Sequence, residues 1–224
     1  TKSYRDGLFQ IQDEGSQMIA SAVNAKPGEK IADLCAGAGG KSLALAAIMK
    51  NEGQIIAADI SSSRLNRIKP RIKRAGINII NTAPFDASAL AQAIDPQDRV
   101  LIDAPCSGTG TWRRHPEARW RLNSDQLEEY IKVQANLLSD GAKLVRPGGW
   151  VIYATCSLLK DENEDQVSAF LNNHEEFFRL PVKDYLDDYQ LTLSGLDAES
   201  NLSLSPARTN TDGVFVAVFE KASE

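Results

Sequence analysis

Apolar positions along this chain follow two alternating rhythms. Short β-branched runs, in which apolar residues stand side by side, alternate with stretches where they recur every three or four positions. The runs predict seven strands, at 31–34, 54–60, 77–80, 100–102, 150–155, 177–182 and 214–220. The wider spacing predicts helices. One covers 13–26, with Met18, Ile19, Ala22 and Val23 on one side, and ends at Pro27-Gly28. A second covers 42–50. A third covers 61–75, with Leu65, Ile68 and Ile72 facing inward and Pro70 expected to bend or split it. A long helix over 124–145 is capped by Ser124 and carries Leu127, Ile131, Leu137 and Leu138 on its buried stripe. Asp161 with Glu164 resembles a capping box for a helix reaching residue 171. Pro147-Gly148-Gly149 reads as a turn, and the Ser-, Thr- and Asn-rich stretch 191–210 reads as loop. Strands alternating with helices predict an α/β fold, a mostly parallel sheet with helices on both faces. Residues 27–224 are expected to form one domain, with residues 1–26 an N-terminal segment and helix packed on it.

Composition narrows the class. The chain has 224 residues, 42% of them hydrophobic, enough for a sizeable core. No apolar run approaches the length of a membrane span. No basic-then-apolar leader is visible, and the first residue is threonine, so a processed or excised piece is expected. Three cysteines make no disulfide framework, which points to a reduced, cytoplasmic setting. No Cys/His spacing suggests a metal. The net charge of −5 is not that of a bulk nucleic-acid binder. Bases nevertheless cluster at 64–74 and 113–121, while acids crowd 161–199. A local basic surface can still meet phosphates.

The segment Cys35-Ala36-Gly37-Ala38-Gly39-Gly40-Lys41 joins the first strand to a helix. Its glycines let backbone approach a ligand, and the helix offers free N–H groups. A dinucleotide fingerprint needs a third glycine where Ser42 stands, and no phosphate-loop lysine-serine pattern is present. Asp59 ends the second strand, where a carboxylate accepts from ribose hydroxyls, and Asp86 follows the third, within reach of an adenine or ribose edge. Taken singly these are ordinary turns and strand ends. Together they fit an adenosyl ligand without phosphates, S-adenosylmethionine.

Two further strand ends carry cysteines, in Asp103-Ala104-Pro105-Cys106-Ser107-Gly108-Thr109-Gly110 and Tyr153-Ala154-Thr155-Cys156-Ser157. A lone buried cysteine is usually a small hydrophobe. Two at neighbouring strand ends fit pyrimidine chemistry, in which a thiolate adds to carbon 6 of cytosine and makes carbon 5 nucleophilic. A second group then assists removal of the carbon 5 proton and expulsion of the thiol. Asp103 is placed to accept from an exocyclic amine or to hold a protonated ring nitrogen. Cys35 reads as packing rather than reacting.

At these motifs the chain resembles the Sun/Fmu-type RNA cytosine-C5 methyltransferases, the group that includes bacterial 16S rRNA 5-methylcytosine enzymes. The resemblance runs over nearly the whole length. It includes Phe9-Gln10-Ile11-Gln12-Asp13-Glu14-Gly15-Ser16-Gln17, residues 33–42, Asp59 with Arg64 and Leu65, both cysteine motifs, Glu162-Asn163-Glu164, and Asp212-Gly213-Val214-Phe215. The family loop reads Ala-Pro where this chain has Gly37-Ala38; the turn loosens but keeps its small residues. The resemblance implies a Rossmann-like seven-stranded S-adenosylmethionine-dependent methyltransferase fold, mostly parallel, with an antiparallel last strand. It implies that Cys35, Ala36, Gly37, Ala38, Gly39, Gly40, Lys41, Asp59, Arg64, Asp86 and Asp103 line the cofactor pocket. It also implies that Cys156 is the nucleophile, that Cys106 assists product release, and that the substrate is RNA, with rRNA first, its target base unpaired or flipped out. The alternatives are a tRNA or DNA cytosine-C5 methyltransferase, or a non-catalytic RNA-binding or assembly factor with the same fold. Arg113, Arg114, His115, Arg119 and Arg121, interleaved with Trp112 and Trp120, read as an RNA contact beside the thiols. Arg64, Arg67, Arg71 and Arg74 read as a solvated basic helix face.

Overall fold

Residues buried on both faces need continuous apolar runs, and the central strands have them. A computed structural model of the protein describes residues 1–184, 186 and 201–223. Strands β1 (Lys30–Asp33), β2 (Gln54–Asp59), β3 (Ile80–Pro84), β4 (Gln97–Asp103) and β5 (Val145–Thr155) run parallel in the order β3-β2-β1-β4-β5. The chain then adds β6 (Phe177–Leu180), β7 (Leu202–Leu204) and β8 (Val214–Lys221). β8 lies antiparallel to β5, and β6 and β7 pair along its other edge. Alternate residues feed two cores. Ile31, Ile55, Leu101 and Ile152 face one layer, with Met18, Ile19 and Val23; Ala32, Ile56, Val100 and Tyr153 face the other, with Leu137, Leu138 and Phe170.

The helices are α1 (Lys2–Arg5), α2 (Glu14–Ala22), α3 (Gly40–Ile48), α4 (Ser62–Leu65), α5 (Ile68–Ala75), α6 (Ala87–Ala93), α7 (Ser124–Leu144) and α8 (Glu164–Asn173), with a further turn of helix at Pro206–Thr209. Among the described residues, no helix is long and apolar enough to cross a membrane.

Several elements differ from the sequence expectation. The 61–75 helix does split, but before Ile68 and not at Pro70. Pro70 falls in the first turn of α5, where its missing N–H is not needed. The third strand begins at Ile80 rather than residue 77, because an edge strand needs little apolar pattern and Asn81-Thr82 supplies none. Strand β5 starts before its Pro-Gly-Gly, and its register against β4 shifts between Gln97 and Arg99. An eighth strand, Leu202–Leu204, and the helix Pro206–Thr209 occupy part of the stretch read as loop; residues 191–200 of that reading lie outside the described residues. The cap of α7 is Asn123, whose Oδ1 accepts from the Gln126 N–H at 2.9 Å, one residue before the predicted Ser124. Helix α8 has no side-chain cap, and a 3₁₀ turn at Lys160–Glu162 replaces the predicted capping box.

Candidate active site

The strand order reverses direction between β1 and β4, and ligands in such sheets bind beyond the carboxyl ends of the strands at that point. A cleft of about 640 Å³ opens there. Its walls include Asp33, Cys35, Ala36, Gly37, Ala38, Gly40 and Lys41 from β1 and the glycine turn, Asp59 and Arg64 from β2 and α4, and Asp103, Cys106 and Cys156 from β4 and β5. Thus most of the predicted residues meet in one place. Gly39 and Asp86 are not on its wall. Gly39 has φ +78°, and a Cβ there would sit 2.0 Å from the Ile68 side chain, so glycine is required to pass the turn over α5. Asp86 Oδ1 accepts from the Ala89 N–H at 2.8 Å and caps α6; its neighbour Phe85 reaches the cleft instead. Ile11 and Ser16 from the N-terminal segment, Arg71 from α5, and Val133, Asn136, Leu137 and Asp140 from α7 also line it. Sequence reading missed the α7 set, since its residues look like an ordinary helix face.

Charge inside the cleft is organised. Asp59 is buried and holds the turn together: Oδ2 accepts from the Gly37 N–H at 2.9 Å, and Oδ1 from the Ser61 N–H at 2.7 Å and the Arg64 guanidinium at 2.9 Å. Lys41 Nζ meets Asp103 Oδ2 at 2.6 Å. Burial opposes the Lys41 charge, but the Asp103 carboxylate overcomes it and the pKa rises. Burial pushes the Asp33 carboxyl up to about 6, against the pull of the Ser42 hydroxyl, which donates to Oδ2 at 2.7 Å. Burial likewise drives the Cys35 thiol far up, so Cys35 stays protonated and packs against the core.

The two other thiols face each other, with Cys106 Sγ 3.3 Å from Cys156 Sγ. Their asymmetry is chemical. The hydrogen bond with Cys106 lowers the Cys156 pKa despite its burial; Asp103 opposes this and nearby Lys41 adds to it. The same contact, then burial, raises the Cys106 pKa well above that of an ordinary thiol. Cys156 is therefore the better thiolate.

The Cys106 loop is pinned to β5 and β8 through backbone. Gly110 N–H donates to Cys156 O at 2.9 Å, and Gly213 N–H donates to Gly110 O at 2.8 Å. A Cβ on Gly110 would lie 2.4 Å from Gly213 O, so Gly110→Ala must push these backbones apart. The expected cost is about 1–3 kcal/mol of stability, checked by urea unfolding; an unchanged midpoint would show that the contact is not tight.

The basic segments behave differently from a uniform RNA surface. Arg113 meets Asp212 Oδ1 at 3.0 Å, and Arg114 Nε donates to Asp212 Oδ2, a nearly fully buried carboxylate. These two arginines anchor the loop to the start of β8. Trp112 Nε1 is buried, whereas Trp120 is 79% exposed, with Arg119 over its ring at 4.7 Å. On the α4–α5 face, Arg71 donates to Ala38 O at 2.7 Å and Arg74 to Gln10, so with Arg64 three of the four arginines serve the fold. No group of His, Cys, Asp and Glu suited to a metal occurs among the described residues.

Comparison with known proteins adds to this geometry. Residues 20–220 match the family described as 16S rRNA methyltransferase RsmB/F. A probable ribosomal RNA small subunit methyltransferase B of Bacillus subtilis is 32% identical over 99% of this chain and 49% of its own length. The ribosomal RNA small subunit methyltransferase B of Citrobacter koseri is 35% identical over 96% of this chain and 47% of its own. The chain spans about half the length of these curated relatives. Among solved structures, NSun6 from Pyrococcus horikoshii with SFG superposes with a TM-score of 0.86 at 26% identity, over 100% of this chain and 56% of that one. A methyltransferase homolog protein from the same organism gives 0.83 at 29% identity, over 99% and 70%.

Proposed function

Because the chain belongs to the 16S rRNA methyltransferase RsmB/F family, we propose that it moves a methyl group from S-adenosylmethionine to carbon 5 of a cytosine in RNA, with 16S rRNA the expected substrate. The observation that carries this reading is the pair of thiols 3.3 Å apart on the wall of the glycine-turn cleft. The residues fit the cofactor chemically. Gly37 to Gly40 form a cradle of small residues, Asp59 Oδ2, which accepts only the Gly37 N–H, has room for one more donor, and Asp33 Oδ1 is buried without a hydrogen-bond partner. The ligand set proposed for it is Cys35, Ala36, Gly37, Ala38, Gly40, Lys41, Asp59, Arg64 and Asp103, with Gly39 shaping the turn and Asp86 capping α6 rather than touching the ligand; residues 27–224 are the transferase unit and residues 1–26 pack on it. When bound, S-adenosylmethionine supplies an electrophilic methyl group.

The protein's own residues do the rest. Cys156, as thiolate, adds to carbon 6 of the base and turns carbon 5 into an enamine-like nucleophile. Asp103, held by Lys41, accepts from the exocyclic amine or a protonated ring nitrogen. After methylation Cys106, having lost its own proton to solvent, takes the carbon 5 proton; that electron pair re-forms the C5=C6 double bond, and the C6–S bond breaks to release the Cys156 thiolate. The base must be unpaired or turned out to reach both thiols, and Trp120, on the segment that follows the Cys106 loop, offers an exposed ring for stacking. Incubating the chain with methyl-labelled S-adenosylmethionine and 16S rRNA, then separating nucleosides by mass, should reveal 5-methylcytidine. Label in another nucleoside, or none in rRNA, tRNA or DNA, would overturn the reading.

A further inference from the structure

The loop that carries Cys106 is gripped on both sides by one buried pair. Glu162, on the 3₁₀ turn before α8, has no exposed surface. Its carboxylate accepts the Ser107 N–H at 2.8 Å, the Ser107 hydroxyl, and Gln134 Nε2 at 2.9 Å. Gln134, on α7, sends the other hydrogen of Nε2 to Pro105 O at 3.0 Å. The residues before and after Cys106 are therefore each tied to the same carboxylate–amide pair. Ser107 Oγ also lies 3.2 Å from Ser157 Oγ, so the grip reaches the residue after Cys156.

Every contact to the Glu162 carboxylate is donated to it, the pattern of an anion, yet no cation is among its hydrogen-bond partners. Burying a charge without a counter-ion costs stability, and neutral side chains can brace a loop at lower cost. A carboxyl group placed here, where an amide would brace the loop as well, points to the neighbouring sulfur. We infer that Glu162 is a positioning residue: with Gln134 it clamps Pro105 and Ser107, and so sets Cys106 as donor and Cys156 as acceptor of the thiol–thiol contact. Most groups acting on Cys106 agree. Cys156, burial and Glu162 disfavour its thiolate, the Gly108 N–H alone favouring it, and Tyr153, whose hydroxyl donates to Glu162 O at 2.7 Å, is itself held protonated by burial. Around Cys156 stand Lys41, Asp103 and Arg114. Under the proposed function, which this inference extends, the clamp keeps Cys106 from competing as nucleophile.

The test compares the full chain with Glu162→Gln and Glu162→Asp. Iodoacetamide alkylation is followed across pH, with each cysteine read separately by peptide mass spectrometry. In the parent, Cys156 reacts at lower pH than Cys106. In Glu162→Gln, the Cys106 midpoint should fall by about one pH unit as the nearby negative charge is lost, and the Cys156 midpoint should rise; Glu162→Asp should restore part of both shifts. If Glu162→Gln does not fold, Ser107→Ala, which keeps the backbone donor, should shift both midpoints the same way by less. Unchanged midpoints for both thiols in a folded variant would overturn the inference. The reaction needs neither RNA nor cofactor. A shift without 5-methylcytidine formation would thus leave the clamp standing while removing the functional reading.

Discussion

Replacing Cys156 by alanine should abolish the covalent protein–RNA adduct and lower methyl transfer by about four orders of magnitude or more, the scale on which loss of an activated nucleophile is felt. Replacing Cys106 by alanine should do the opposite to the adduct. The complex should form and then accumulate, because the group that assists release is gone. The geometry sets this division. The sulfurs are in hydrogen-bond contact, and the contact raises the Cys106 pKa while lowering that of Cys156. Only one of two such close thiols is readily ionised, and here the contact with Cys106 favours Cys156, with Lys41 adding to it against burial and Asp103. Denaturing gel shifts with labelled rRNA and S-adenosylmethionine distinguish the two variants. An adduct that survives Cys156→Ala and disappears in Cys106→Ala would exchange the roles of the two residues.

Asp33→Asn should raise stability at neutral pH while weakening the cofactor. Asp33 is fully buried, and burial lifts its carboxyl to about 6, above the unfolded value of about 3.9. Between these values the folded chain binds more protons than the unfolded one, so the contribution of Asp33 to stability falls as pH rises from about 4 to about 6. Above that window the loss is constant, on the order of 3 kcal/mol for a shift of about two pH units. Asparagine keeps the acceptor for the Ser42 hydroxyl and removes the charge. The variant should therefore match the parent near pH 4 and exceed it at pH 7.5 by up to about 3 kcal/mol, read as the difference between urea curves at each pH. The difference matters because ion-paired carboxylates such as Asp98, whose pKa is lowered by hydrogen bonds and Arg146, act in the opposite direction in both proteins. The unpartnered Oδ1 is the atom whose function is lost. Binding of S-adenosylmethionine by calorimetry should weaken about tenfold or more, the value of a hydrogen bond to a charged group. A variant less stable than its parent at pH 7.5 would mean that Asp33 is a structural carboxylate and not one kept for a ligand.

Much of the site was legible before any coordinates. Asp59, Asp103, Cys106 and Cys156 stand just beyond the ends of apolar runs, and parallel strands fed by helices deliver such ends to one rim; Asp33, inside its run, gives no such signal. The glycine turn was legible for the same local reason, since its conformation demands residues without bulk, as Gly39 over Ile68 shows. The edge strand β3 was displaced because a half-exposed strand has no continuous apolar signal. Helix α6 was missed because it buries only Leu90. The cluster Glu162-Asn163-Glu164 was noticed but read as a helix cap. Nothing local shows that Glu162 turns inward onto a loop fifty-five positions earlier in the chain. Arg113 and Arg114 were read as free for phosphate, because their buried partner Asp212 is far away in sequence.

By itself the sequence determined the alternating α/β plan, the small-residue turn and the placement of both cysteines past strand ends. These follow from periodicity and backbone sterics, which act over a few residues. The tertiary structure alone decided that β1 lies beside β4, that two sulfurs meet at 3.3 Å, and which charges are consumed inside the fold. Those outcomes depend on strand register and on which distant side chain reaches a buried group first, and no local spacing encodes either.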